Sequence, residues 1–282
     1  MKVLVTGVNG QLGYDVVKLL NARNIENKGV DMADFDITDK TATAEYIKKY
    51  NPDAVVHCAA YTAVDRAEDD SDTCFKVNVT GSGNIALACK EIDAKMLYVS
   101  TDYVYGGDGE APFEPTDKVN PQSVYGSTKL GGEQAVIKNL SRYFIVRTSW
   151  VFGINGNNFV KTMLRLGAER EMLNVVDDQI GSPTYTPDLA RLICDLIVTE
   201  KYGIYHGTNE NYCSWAEFAS EIMRLGGRKC VIRPIPSSEY PAKAKRPLNS
   251  RLSKKCLDDA GIDRLPTWQD ALKRYFEEMK EK

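Results

Sequence analysis

The chain has 282 residues, of which 43% are hydrophobic and 27% charged, with a formal net charge of −3. That size allows one large or two closely packed domains with an ample core, and so even a charge balance makes no electrostatic case for nucleic acid or an acidic membrane surface as partner. Only His57 and His206 are present, which argues against a histidine-built zinc site, and the seven cysteines are scattered without a C-x-x-C pair, as reduced core thiols would be.

Met1 leads through Lys2 straight into Val3-Leu4-Val5-Thr6, so no signal peptide is expected. No apolar run is long enough to cross a bilayer, and a cytoplasmic location is expected. The first half alternates β-branched runs with helical patterns. Strands are expected at 2–6, 27–31, 53–58, 95–100 and 143–149, and helices at 11–23, 39–50, 72–92 and 123–140. Continuous apolar strands such as Ala54-Val55-Val56, separated by helices, predict a parallel sheet covered on both faces. Residues 106–121, rich in Gly and Pro, form a loop that feeds the helix at 123. The second half is less regular. A helix at 157–169, a strand near 173–177 and a helix opening at Thr186-Pro187-Asp188 are expected. Ser214-Trp215-Ala216-Glu217 reads as a capping box. A basic, proline-punctuated stretch from Arg233 to Arg251 precedes a final helix at 267–281. No linker separates the halves, so they should share a surface and form a ligand cleft there.

Gly7, Gly10 and Gly13 form a G-x-x-G-x-x-G turn directly after the first strand and before a helix. Such a turn lets the backbone approach a pyrophosphate and aims free helix N–H groups at it, so a dinucleotide is expected here. Asp31 ends the second strand, where an acid would take the adenosine ribose hydroxyls. No Arg or Lys follows until Lys40, which leans the choice between NADH and NADPH toward NADH, although Lys28 is near. Asp36-Ile37 would either meet the adenine amine or, with Thr38-Asp39, cap the next helix. Ala59-Ala60-Tyr61-Thr62 follows the third strand at the crevice end of such a sheet.

Tyr125 and Lys129 are one helical turn apart and share a helix face. A free phenol, with a pKa of roughly 10, is a poor acid or base near neutrality. A neighbouring ammonium should lower that value, while the Thr101 hydroxyl holds a substrate oxygen.

Together with the glycine turn and the Ala59-Ala60 pair, Ser100-Thr101-Asp102-Tyr103-Val104-Tyr105 and Tyr125-Gly-Ser-Thr-Lys129 resemble the extended short-chain dehydrogenase/reductase family. Further blocks narrow the resemblance to its dTDP-4-dehydrorhamnose reductase branch. They are residues 60–65, Arg147-Thr148-Ser149-Trp150-Val151, residues 157–163, Asp178-Gln179-x-Gly181-x-Pro183-Thr184 and Arg246-Pro247-x-Asn249-Ser250-Arg251-Leu252.

The resemblance implies a Rossmann-type doubly wound α/β sheet with a smaller, interleaved C-terminal substrate domain. Residues 1–150 with 186–208 would hold the dinucleotide, and 151–185 with 209–282 the substrate. It implies NADH- or NADPH-dependent reduction of the C4 keto group of a nucleotide-linked sugar, in nucleotide-sugar and polysaccharide biosynthesis, by a monomer or homodimer. By position, Thr101, Tyr125 and Lys129 match the catalytic trio. Gly7, Gly10, Gln11, Leu12, Gly13, Asp31, Asp36, Ile37 and Ala59 to Thr62 fall on the cofactor side, with Tyr125 and Lys129. Asp102, Tyr103, Trp150, Asn158, Arg246 and Arg251 join Thr101 on the substrate side.

Trp150 would flank the sugar or be a core aromatic. Arg246 and Arg251 would grip a diphosphate or make surface ion pairs. Asp15 and Asp188 stand where some relatives bind Mg2+ at a subunit contact, the other reading being acids favoured at helix N-termini. His57-Cys58 departs from the family pattern and should affect packing. The rivals are an epimerase, a dehydratase or another reductase on the same scaffold, and a non-catalytic regulatory subunit; the intact trio speaks against the last.

Overall fold

The computed structural model describes residues 1–280. The first half runs β1 (Lys2–Thr6), α1 (Gln11–Ala22), β2 (Glu26–Val30), α2 (Lys40–Tyr50), β3 (Ala54–His57), α3 (Val64–Ala67), α4 (Ser71–Phe75), α5 (Ser82–Glu91), β4 (Lys95–Thr101), α6 (Val124–Asn139) and β5 (Tyr143–Thr148). A wide π turn, Lys76–Gly81, carries α4 into α5 without leaving helical geometry, so the helix expected at 72–92 is present with a bulge in its middle. The second half holds β6 (Val151–Phe152), α7 (Phe159–Glu169), β7 (Met172–Val176), β8 (Ile180–Gly181), β9 (Thr184–Tyr185), α8 (Thr186–Ile197), β10 (Gly203–His206) and β11 (Cys213–Ser214). It ends with α9 (Trp215–Leu225), β12 (Val231–Ile235), β13 (Asn249–Ser250), α10 (Lys255–Asp259) and α11 (Trp268–Lys280). Residue 281 of the expected final helix lies outside the described residues.

Six parallel strands form the main sheet in the order β10-β5-β4-β3-β1-β2. Both faces are buried, and strand periodicity divides the side chains between them. Val3, Val5 and Val56 point to one face, where Val16 and Leu20 of α1 meet Leu189 and Ile193 of α8. Leu4, Val55 and Met96 point to the other, against Ile47, Ile85 and Val136 of α2, α5 and α6. Each such fully buried aliphatic side chain contributes about 1.5–3 kcal/mol. The connections run in opposite directions from β1 and β3, which opens a crevice at their carboxyl ends. This is the doubly wound sheet that the alternation predicts.

From Ser149 the chain leaves the sheet to build a smaller lobe around Phe152, Phe218, Trp268 and Tyr275. It returns for α8 and β10, then leaves again. Several short elements were not anticipated, and two strands among them bear on the layout. β10 is a sixth strand beside β5. β12 overlaps the start of the basic, proline-punctuated stretch and contains Pro234; with β7 as its one neighbour among the described residues, it loses no bond on the outer side. Among the described residues, no helix is long and apolar enough to cross a membrane.

Candidate active site

The crevice opens into a cleft of about 900 Å³. At one end lies the glycine turn. Gly7 has φ +73°, and a Cβ there would stand 2.6 Å from Ala59 N, so only glycine lets this turn touch the end of β3. α1 starts after Gly10 with no side chain capping its first amides. Those N–H groups and the helix dipole form an anion-receptive end, which fits a pyrophosphate. Gly10, Gln11, Leu12 and Gly13 line the same wall.

Asp31 lines the cleft and is fixed by the backbone: Asn9 N–H donates to its Oδ2 at 2.9 Å and Met32 N–H to its Oδ1 at 2.8 Å. Lys28 lies over the Tyr46 and Tyr50 rings, at 5.0 and 5.9 Å. Asp39 caps α2, receiving the amides of Thr41 and Ala42, while Asp36 accepts Thr38 N–H at 2.8 Å. Asp36 and Ile37 also line the cleft. Ala59, Ala60, Tyr61 and Thr62 continue the wall after β3. Asn78, from the π turn, holds Tyr61 by both backbone groups, accepting its N–H at 2.8 Å and donating to its carbonyl at 3.2 Å. Nothing in the sequence marked Asn78, because it acts through the bulge.

At the other end, β4 finishes at Thr101 and a tight turn, Asp102–Val104, follows. Ser123 caps α6 by accepting Gly126 N–H at 3.1 Å. A Cβ on Gly126 would lie 2.3 Å from Tyr103 O, so glycine allows α6 to press onto that turn. Tyr125 and Lys129 thereby face the cleft beside Thr101. The Tyr125 and Thr101 hydroxyls are neighbours, and Tyr103 packs edge-on to Tyr125 with centroids 5.5 Å apart. Lys129 Nζ donates to Val99 O at 2.7 Å and sits 4.1 Å above the Tyr98 ring.

The expected lowering of the Tyr125 pKa by Lys129 is reversed in the protein alone. Burial pushes the phenol above its ordinary value, opposed by the neighbouring Thr101 hydroxyl. Burial also holds the Lys129 ammonium down to about 7, against the nearby Glu133. Glu133 is itself engaged by Arg147, at 2.9 and 2.7 Å.

Thr101 donates to Asp102 Oδ1 at 2.9 Å, and Ser250 donates to Asp102 Oδ2 at 2.5 Å. Burial lifts the Asp102 carboxyl to about 6, opposed by both hydroxyls. Trp150 lines the cleft with φ +50°, a strained backbone for so bulky a residue. Two neighbours hold it. Trp215 stacks on its indole, and Gly181 lies so close that a Cβ there would stand 2.9 Å from Trp150 Cε2. Trp215 lines the cleft with Phe159 and Phe218. In the sequence it reads only as the first residue after a cap; its stacking partner lies too far along the chain to be read.

Asn158 caps α7, accepting Lys161 N–H at 3.0 Å, and donates to Gln11 Oε1 at 3.0 Å. Asn155, not anticipated, donates to the carbonyls of Asn9 and Gly10 at 2.9 and 3.0 Å. The second half thus grips the glycine turn.

Four expected residues stand off the cleft wall. Arg246 pairs with Asp65 at 2.6 Å, with its charge near the Tyr103 phenol. Arg251 donates to Asn249 Oδ1 at 3.1 Å and lies 6.0 Å from the Tyr212 ring. Asp15 accepts the Thr186 hydroxyl at 2.5 Å. Asp188 is held by Arg274 and by Asn209, both at 2.7 Å. Among the described residues, no three His, Cys, Asp or Glu side chains gather as a cation site. The donor set of Asp15 and Asp188 does not fit a metal that wants several oxygens.

A family model described as RmlD substrate binding domain matches residues 1–281. The spore coat polysaccharide biosynthesis protein SpsK of Bacillus subtilis is 40% identical, over 98% of this chain and 97% of its own. The dTDP-4-dehydrorhamnose reductase of Aggregatibacter actinomycetemcomitans is also 40% identical, over 96% and 97%. The crystal structure of dTDP-4-dehydrorhamnose reductase from Bacillus anthracis in complex with NADP superposes with a TM-score of 0.96 at 42% identity, covering 98% of this chain and 99% of that one.

Proposed function

The chain belongs to the RmlD substrate binding domain family, and from that premise we propose that it reduces dTDP-4-dehydro-L-rhamnose to dTDP-L-rhamnose with NADH or NADPH. The product would feed polysaccharide biosynthesis in the cytoplasm. The observation that carries this reading is a single cleft with the glycine turn at one end and Thr101, Tyr125 and Lys129 at the other. When bound, the nicotinamide supplies a hydride to C4 of the sugar. Tyr125 gives its phenolic proton to the oxygen that becomes the C4 hydroxyl. Thr101 donates a hydrogen bond to the same oxygen, stabilising the charge that builds there. Lys129, while protonated, keeps a positive charge beside the phenol and favours its release of the proton.

Residues 1–150 with 186–208 are assigned to dinucleotide binding, and 151–185 with 209–282 to the sugar. Gly7, the residues from Gly10 to Gly13, Asp31, Asp36, Ile37 and Ala59 to Thr62 serve the cofactor. Asp102, Tyr103, Trp150 and Asn158 serve the sugar side. Asp31 and the seating of Lys28 on two tyrosine rings support NADH as the better donor. Arg246, behind Tyr103, would fix that ring and not grip a diphosphate.

A dehydratase would want an acid beside the catalytic hydroxyl, and Asp102 stands next to Thr101. Net consumption of reduced nicotinamide separates the two. Purified protein is mixed with dTDP-4-dehydro-L-rhamnose and each reduced cofactor in turn. The expected result is cofactor oxidation matched mole for mole by dTDP-L-rhamnose. Product without net oxidation, or neither, overturns the reading.

A further inference from the structure

Ser250 lies in β13, a strand pinned by pairing with β8 and by Asn249 N–H donating to Gly107 O at 2.9 Å. It is 2% exposed, and its hydroxyl reaches Asp102 Oδ2 from 148 residues away in sequence. The other oxygen of Asp102 receives the hydroxyl hydrogen of Thr101. A threonine has one such hydrogen. Turned to Asp102, it is lost to a substrate oxygen in the cleft. A buried carboxylate short of donors holds a neighbouring hydroxyl firmly, because its alternative is an unsatisfied charge. One served by Ser250 can let that hydroxyl turn.

The geometry points to Ser250 as a positioning residue that, by donating to Asp102, frees the Thr101 hydroxyl for the reacting oxygen of the sugar. The inference rests on the reductase reading, in which Thr101 donates to that oxygen. A neutral Asp102 carries its own hydrogen and has no need of the one on Thr101, so the role of Ser250 belongs to the ionised state. The titratable groups facing Asp102 are Tyr103 on its own turn and Tyr125 from α6, both pushed up by burial and therefore neutral. Arg246 approaches from the segment before β13, its charge near Tyr103 and paired with Asp65. The Ser250 bond lowers the Asp102 pKa, so its removal raises it further.

The test measures kcat and KM for wild type and Ser250→Ala between about pH 5.5 and pH 8.5, spanning the Asp102 transition near 6, with the same substitution repeated on an Asp102→Asn background. Ser250→Ala should lower kcat roughly tenfold at the alkaline end and less than about twofold at the acid end, with KM unchanged, a fraction of the effect of deleting an oxyanion donor. On the Asp102→Asn background it should add nothing. A loss of equal size at every pH, or an equal loss on that background, would mark Ser250 as a packing residue and overturn the inference. Failure of the reductase reading has a different signature: absence of wild-type turnover, which overturns both.

Discussion

Trp150 and Trp215 stack with ring centroids 3.7 Å apart and planes 14° from parallel. The pair holds Trp150 in its left-handed backbone on the cleft that Tyr125 also lines. Such a stack adds about 0.5–1.5 kcal/mol beyond the area it buries, comparable to the strain it offsets. Trp215→Ala should therefore release Trp150 and raise KM for the nucleotide sugar roughly tenfold, while cofactor affinity stays within about twofold, as one lost aromatic plate predicts. Near-ultraviolet circular dichroism should lose the paired-indole signal at the same time. An unchanged KM alongside a lost signal would leave the stack with a packing role only.

Tyr125→Phe removes the proton and keeps the ring. The expected outcome is a fall in kcat of about 10²–10⁴ with cofactor affinity retained. The burial that raises the phenol pKa keeps the wild-type group protonated through neutrality, as a proton donor requires. Turnover within a few-fold of wild type would remove Tyr125 from the reaction.

The elements carrying the trio were legible because each is local. β1, β4 and β5 are continuous apolar runs, and the Tyr125–Lys129 spacing is a property of one helical turn. What escaped depends on partners distant in sequence. β10 is four residues long at a sheet edge, with Gly203 and His206 at its ends and no apolar run to announce it. Arg246 and Arg251 looked suited to a diphosphate because guanidinium groups usually are, but Asp65 and Asn249 engage them first. Ser250 stood in plain view within a recognised block, yet its meaning lies in Asp102.

His57 is buried between Thr6 Oγ1, at 2.7 Å from Nδ1, and Ser82 Oγ, at 3.2 Å from Nε2. Burial lowers its pKa to about 3, so between that value and the ordinary 6.5 the unfolded chain takes up a proton that the folded one refuses. Stability therefore falls as pH drops through this window, by about 1.4 kcal/mol per pH unit at most. His206, lowered to about 3, acts in the same direction; Asp102, raised to about 6, opposes both, since the folded state binds its proton first. His57→Gln should be less stable at neutral pH yet lose stability less steeply between about pH 6 and pH 4 in urea titrations. Parallel slopes for the two proteins would contradict the assignment.

Asn155 ties the second half to Asn9 and Gly10 through two carbonyls. Asn155→Ala deletes two donors at a partly open site, each worth about 0.5–1.5 kcal/mol. The cofactor should leave several-fold faster in stopped-flow fluorescence, with the melting temperature nearly unchanged. An unaltered off-rate would show that the glycine turn needs no help from across the cleft.

The placement of β10 also bears on how the molecule is made. A ribosome delivers β5 long before its outer neighbour, and everything from Ser149 to Tyr185 must emerge in between. Until residue 197 is out α1 lacks the cover of α8, and until residue 206 is out the sheet has an unzipped margin. The nascent chain is then a half-built scaffold with a long loop already hanging from it, and vectorial synthesis cannot finish one lobe before starting the other. Splitting the gene at residue 150 should accordingly yield two fragments that are insoluble apart and regain structure only by complementation.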